Sequence, residues 1–158
     1  MVDTGFVTAT DKIVLSGSRQ VVEKEIETAT SMYPGVLVKK GSTDNEVVVG
    51  TDGAVAYGWL GYEDTPVMYR PANIDTIYVV NARAGIISGP GMVLRAKLAN
   101  GDDIIMGDKL TGTAAGALKK WVPVPIDAAS AEEMVVAVAM ESKATTGAEV
   151  DLIVRSLI

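Results

Sequence analysis

The sequence predicts a mainly β, antiparallel fold, and three observations carry that expectation. Met92, Leu94, Ala96 and Leu98 fall on one face of an extended segment while Val93, Arg95 and Lys97 fall on the other, the period of two of a half-buried strand. Short apolar runs alternate throughout with turn signals such as Tyr33-Pro34-Gly35 and Asn100-Gly101. Glycine is abundant at 16 residues, and valine, isoleucine and threonine recur, a composition that favours strands and turns over helices.

In chain order, residues 1–31 carry scattered apolar residues among Thr, Ser, Glu and Lys and read as an arm, with 32–158 as the body. Within the arm, Lys12 to Leu15 could be a short strand, and Gln20 to Ala29 fits either an alternating strand or a helix with Val22, Ile26 and Ala29 on one face. At ~3.3 Å per residue such an arm could reach on the order of 100 Å, so both a mobile terminus and an arm docked on a neighbour stand open. Tyr33-Pro34-Gly35 has the form of a type II turn, with proline fixing φ and glycine free to take a positive φ. Val36 to Lys40, Glu46 to Val49 and Ala54 to Leu60 then read as strands, separated by Gly41 to Asn45 and by Thr51-Asp52-Gly53, a spacing that joins antiparallel neighbours.

Ile74 to Val80 reads as a further strand. Asn100-Gly101 suits a type I′ turn that would fold a second strand, Ile104 to Met106, back on Met92 to Leu98. Lys109 to Thr111 and Ala117 to Val122 flank the small-residue loop Gly112 to Gly116. Asp127 to Glu133 could be a helix, since Ser130-Ala131-Glu132-Glu133 has capping-box form, but the strand that starts next allows one helical turn at most, so a loop is expected there. Met134 to Met140 is apolar throughout, as a strand covered on both faces would be, and Val150 to Ile158 alternates, which places the C-terminus in the body.

With 158 residues the chain suits one domain able to bury about 70% of its extended surface. It contains no cysteine and no histidine. Disulfides, thiolate nucleophiles and cysteine metal sites are therefore excluded, and with them the usual histidine-dependent triads and zinc hydrolases. An enzyme would have to work with carboxylates, lysines, tyrosines or serines alone. The net charge of −6 and the pI near 4.6 have the wrong sign for nucleic acid. No apolar run is long enough to span a bilayer, and the first residues lack the basic and apolar regions of a signal peptide, so neither a membrane nor a nucleic-acid partner is expected.

Four motifs invite a chemical reading. Asp3-Thr4-Gly5 has the form of an aspartic-protease loop but lacks a preceding apolar strand to position it. Gly85 to Gly91 is glycine-rich but lacks the Lys-Ser/Thr of a phosphate cradle, and reads as a loop that supplies bends. Asp102, Asp103 and Asp108 do not follow a calcium-loop spacing and read as turn chemistry. Lys119-Lys120 beside Trp121 reads as solvated edge charge. No catalytic residue, cofactor or metal is expected. The aromatics Tyr57, Trp59, Tyr62 and Tyr69 form the densest potential contact surface. Tyr57 and Trp59 share a strand face with Val55 and could fill the core. Trp59, Tyr62, Tyr69 and Arg70 are the candidate protein-interface residues, being of types enriched at hot spots.

The order IIMGDKL, a small-residue loop closing in GALKK, then VVAVAMES and a terminal EVDLIVRSLI resembles the head decoration or cement proteins of tailed viruses that infect bacteria or archaea. YPGVLVKKG and AVAYGWLGYEDT fit the same layout, so the resemblance runs from Tyr33 to Ile158. It implies a small antiparallel β-barrel or β-tulip-like body with an extended N-terminal arm. It further implies assembly in the host cytoplasm as a homotrimer on the outer surface of an icosahedral capsid, with the major capsid protein as partner and capsid stabilisation as function. The resemblance carries over no catalytic residues. A rival of another class is a secreted or surface β-sandwich that binds a carbohydrate or protein ligand at the loop Trp59 to Tyr69.

Overall fold

The computed structural model describes residues 12–50, 56–123, 134–144 and 150–158. Among them the chain is mainly β. The strands are β1 (Val14–Ser16), β2 (Gln20–Ile26), β3 (Leu37–Lys40), β4 (Glu46–Val49), β5 (Gly58–Leu60), β6 (Arg83–Ser88), β7 (Val93–Leu98), β8 (Asp103–Ile104), β9 (Lys109–Gly112), β10 (Leu118–Lys120), β11 (Ala137–Ala139), β12 (Lys143–Ala144) and β13 (Val150–Ser156). A 3₁₀ turn occupies Val67–Tyr69.

Among the described residues two larger sheets make up most of the body, and β8 and β12 form a separate pair. In the first, β2-β4-β3-β5-β6 closes into a barrel, with β6 pairing β2 antiparallel over six residues and a short parallel contact, Glu25 with Glu46 and Ile26 with Val47, completing the ring. In the second the order is β1-β7-β10-β9-β11-β13, and a six-residue antiparallel pairing of β13 with β7 returns the sheet on itself. The period of two decides what goes where. Val38, Leu60 and Ile86 point into the barrel with Ile26, Met32, Val47 and Tyr78, while their neighbours Leu37, Trp59 and Ile87 point outward into the core of the second sheet. Every residue of β5 is therefore buried, because both of its faces are covered. Met92, Leu94, Ala96 and Leu98 are buried on the second core, as their alternation predicts.

Glycine decides two crossings. Gly35 takes φ +88° in the turn after Pro34, and Val36 N–H bonds Tyr33 O at 3.3 Å, the type II geometry expected from the sequence. A Cβ on Gly35 would lie 2.6 Å from the carbonyl oxygen of Arg95, so the entry to β3 can cross β7 only without a side chain. Gly85 in β6 is equally confined, since a Cβ there would lie 2.8 Å from Asp64 O.

Several expectations are corrected. The arm boundary at residue 31 does not hold for the described part, 12–31. β1 pairs β7, β2 is a stave of the barrel, and Ile13, Val14 and Ile26 are core residues. Of the two readings left open for Gln20 to Ala29, the strand is the one formed. Ile74 to Val80 is not a strand. Asn73 Oδ1 accepts bonds from Asp75 N–H and the Thr76 hydroxyl at its start, and Asn81 turns at φ +63° at its end, so both ends bend while Ile74 and Tyr78 are drawn into the cores. Gly85 to Ser88 lies in β6, and only Gly89-Pro90-Gly91 bends; alternating apolar residues on a covered strand outweigh the glycine content.

Asn100-Gly101 turns with a positive φ at Gly101 alone, which is not type I′. The following β8 pairs β12 rather than β7, because β13 occupies one edge of β7 and β1 and β10 the other. Residues Thr51 to Val55, the helix-or-loop stretch Asp127 to Glu133 and the Asp3-Thr4-Gly5 motif lie outside the described residues.

Candidate interface loop

The loop from Gly61 to Arg70 leaves the barrel after β5, and the candidate residues divide sharply by where they sit in it. Trp59 is fully buried between the two sheets, its indole N–H donating to Ser156 Oγ at 3.0 Å. It is a core residue and no part of an accessible interface in this chain. Tyr62 is also buried. Its hydroxyl donates to the carbonyl of Pro71 at 3.1 Å, and its ring lies beneath the Arg70 guanidinium, 5.2 Å from the centroid. Arg70 Nη2 donates to the carbonyls of Glu63 and Thr65, each at 2.9 Å, and so ties the loop across its neck. Tyr69 packs, half-buried, against the barrel core.

A hydrogen-bond chain fixes the floor of the loop. Tyr78 donates its one hydroxyl proton to Gly61 O at 2.6 Å, so in the 2.7 Å bond between Thr65 and Tyr78 the threonine must donate. Thr65 Oγ1 in turn accepts Gly85 N–H at 3.0 Å. Burial pushes the Tyr78 phenol well above its ordinary range, against the opposing pull of the Thr65 bond, and it stays a neutral donor. The sides are held as firmly. Glu63 Oε1 accepts the N–H groups of Ile13 and Val14 at 2.7 and 2.9 Å, and Arg19 grips Asp64 through two bonds of 2.8 and 2.9 Å.

What this scaffold holds out is Val67 and Met68, 78% and 81% exposed on the 3₁₀ turn. The expected residues thus build the support, and the exposed apolar pair between them was missed. The sequence offered only their position directly after Pro66, which does not by itself separate exposed from buried apolar residues. A second pair, Ile105 and Met106, is exposed on the turn before β9, where Asp108 Oδ2 accepts Ile105 N–H at 2.9 Å and Ser142 Oγ accepts Met106 N–H at 2.9 Å.

The other chemical candidates resolve into structural bonds. Asp108 also meets the Lys120 ammonium at 3.0 Å, and Asp102 accepts the Lys120 N–H at 2.8 Å. Lys109 lies over Trp121, 5.6 Å from the ring centroid. Lys97 sits between Asp75 and Asp151 at 2.8 and 2.7 Å; burial opposes its charge, but those two carboxylates raise its pKa overall. Among the described residues no group of three or more Asp and Glu side chains gathers as a metal cluster would.

No protein-family model matches the sequence, and no curated protein sequence matches it. Among solved structures the fold is similar to the N base of head fiber gp8.5 of bacteriophage phi29, with 17% sequence identity, coverage of 89% of this chain and 98% of that one, and a TM-score of 0.46.

Proposed function

We propose that this protein is a non-enzymatic structural component of a tailed-virus virion, which binds the outer surface of the capsid as a homotrimer and stabilises it. The observation that carries the reading is the rigidly held apolar tip: Val67 and Met68 stand in solvent on a loop whose neck, floor and sides are all hydrogen-bonded. Such a tip binds a complementary protein surface with little ordering cost, because the loop is already set before contact. The resemblance of IIMGDKL, GALKK, VVAVAMES and EVDLIVRSLI to head decoration proteins supplies the identity of that surface, the major capsid protein.

Binding by three copies of one contact gives slow release even where each contact is weak, since the second and third engage at high effective concentration. A ligand that binds only the assembled shell shifts the shell's equilibrium against disassembly. The net charge of −6 suits a position outside the shell, away from packaged nucleic acid. The test adds purified protein to undecorated expanded capsids and measures both binding and the temperature at which the genome escapes. Saturable binding with a raised release temperature is the expected result. Absence of binding to the cognate capsid overturns the proposal and favours a β module that binds another protein or a carbohydrate.

A further inference from the structure

Among the described residues, strand β2 leaves the first part of one edge open. Its pairing with β6 runs from Gln20 to Glu25, but its pairing with β4 involves only Glu25 and Ile26. The direction of its backbone groups follows from the bonds at its end. Glu25 and Glu27 donate their N–H groups to Asn45 and Val47 on the β4 side, whereas Ile26 donates to Ala82 on the β6 side. By alternation, the N–H and C=O of Val21 and Glu23 point away from β6, to an edge where no strand meets them among the described residues. Both apolar side chains of this stretch are exposed, Val21 at 45% and Val22 at 44%. A groove of about 260 Å³ lined by Glu23, Lys24, Glu25, Asn45 and Arg83 lies beside it.

We propose that this edge is a self-association surface, on which β2 of a second copy adds antiparallel about a two-fold axis through Val22. The sequence of the edge is complementary to itself in that register. Val21 stands opposite Glu23, so the four outward backbone donors and acceptors of each copy exchange bonds with those of the other. Val22 stands against Val22 in a pair without backbone bonds, where side chains approach most closely. Gln20 stands opposite Lys24, and the added strand ends there, because β4 meets β2 from Glu25 onward. No like charges are opposed. A register centred on Glu23 would set Glu23 against Glu23, and one centred on Val21 would use three residues of the strand rather than five. Trimers of the kind proposed above, joined through this two-fold contact, would form a net.

A chain without cysteine makes the test direct. In the full-length Val22→Cys protein the two thiols would face each other across the axis at a separation that a disulfide can span. Under mild oxidation a covalent dimer is expected about tenfold or more faster than from Met68→Cys, whose side chain is the more exposed of the two. Equal rates for the two variants overturn the proposal. In a second variant, Val21→Pro, the lost N–H is one that faces away from β6, so the β2–β6 ladder is retained. Sedimentation velocity is expected to show the dissociation constant of the two-fold step raised about tenfold or more. A Val21→Pro chain that melts and associates as the wild type does overturns the proposal as well.

Discussion

The indole N–H of Trp59 in β5 donates to the hydroxyl of Ser156 in β13 across the boundary between the two sheets, 3.0 Å apart and with both residues fully buried. Ser156 passes the bond on, its own hydroxyl donating to the Ile158 carbonyl at 2.7 Å. The residue that aromatic enrichment marks for an interface is thereby a buried side-chain tie between the barrel and the second sheet, alongside backbone bonds such as that of Leu37 N–H to Gly116 O.

Replacing Ser156 by Ala would leave a buried indole N–H without a partner. The expected cost is ~1–3 kcal/mol of folding stability, seen as a lowered midpoint in urea unfolding with an unchanged slope. Trp59→Phe should show a different balance, because it removes the donor along with part of the packing. A Ser156→Ala protein as stable as the wild type would show that this bond contributes nothing.

Truncation tests the N-terminal region. Deleting residues 1–31 removes a barrel stave and the buried side chains of Ile13, Val14 and Ile26, each worth ~1.5–3 kcal/mol of burial. That loss is comparable with the whole stability of a domain, on the order of 5–15 kcal/mol. The shortened chain should be unfolded by circular dichroism. A folded chain beginning at residue 32 would contradict the pairing of β2 with β6.

Met68→Asp probes the tip without touching the scaffold. The side chain is 81% exposed, so the melting temperature should barely move. Capsid binding should weaken about tenfold or more, as for a central apolar contact replaced by a charge. Arg70→Ala should weaken binding by another route, loosening the loop neck, and should therefore raise hydrogen exchange at Glu63 to Tyr69 as well. Full capsid binding by the Met68→Asp protein would place the contact elsewhere, with the Ile105–Met106 turn next to be tested.

The Asp108 carboxyl is held below its ordinary range, first by the Ile105 N–H and then by the Lys120 ammonium. A carboxylate with a depressed folded pKa stabilises above its unfolded value and loses that contribution as pH falls through the folded one. The Ile105 turn should therefore remain closed at neutral pH and loosen only in acid, below about pH 4. The Ile105 amide resonance should report it, titrating with a midpoint below that of ordinary aspartate in the wild type and losing that step in Asp108→Asn. A midpoint at the ordinary value would show that the bond is not kept in solution.

The mainly β class, the positions of β3, β4, β7, β9 and β13, and the type II turn at Tyr33-Pro34-Gly35 were legible in the sequence. Side-chain alternation and the φ demands of proline and glycine act within a few residues and need no partner to be read. What only the tertiary structure decided is which strand pairs with which, and which aromatic is covered. β8 meets β12 instead of β7 because other strands already hold both edges of β7. β2 reads as an indifferent run of Val, Glu and Lys until β6 lies beside it. Trp59 reads equally as core or contact until the second sheet covers it, Tyr62 looks like a contact residue until Arg70 lies over it, Tyr57 reads as core yet is exposed, and Val67 and Met68 look like core until the fold leaves them in solvent. Burial and strand partnership depend on residues tens of positions away, so they belong to the folded chain and not to any local stretch of it.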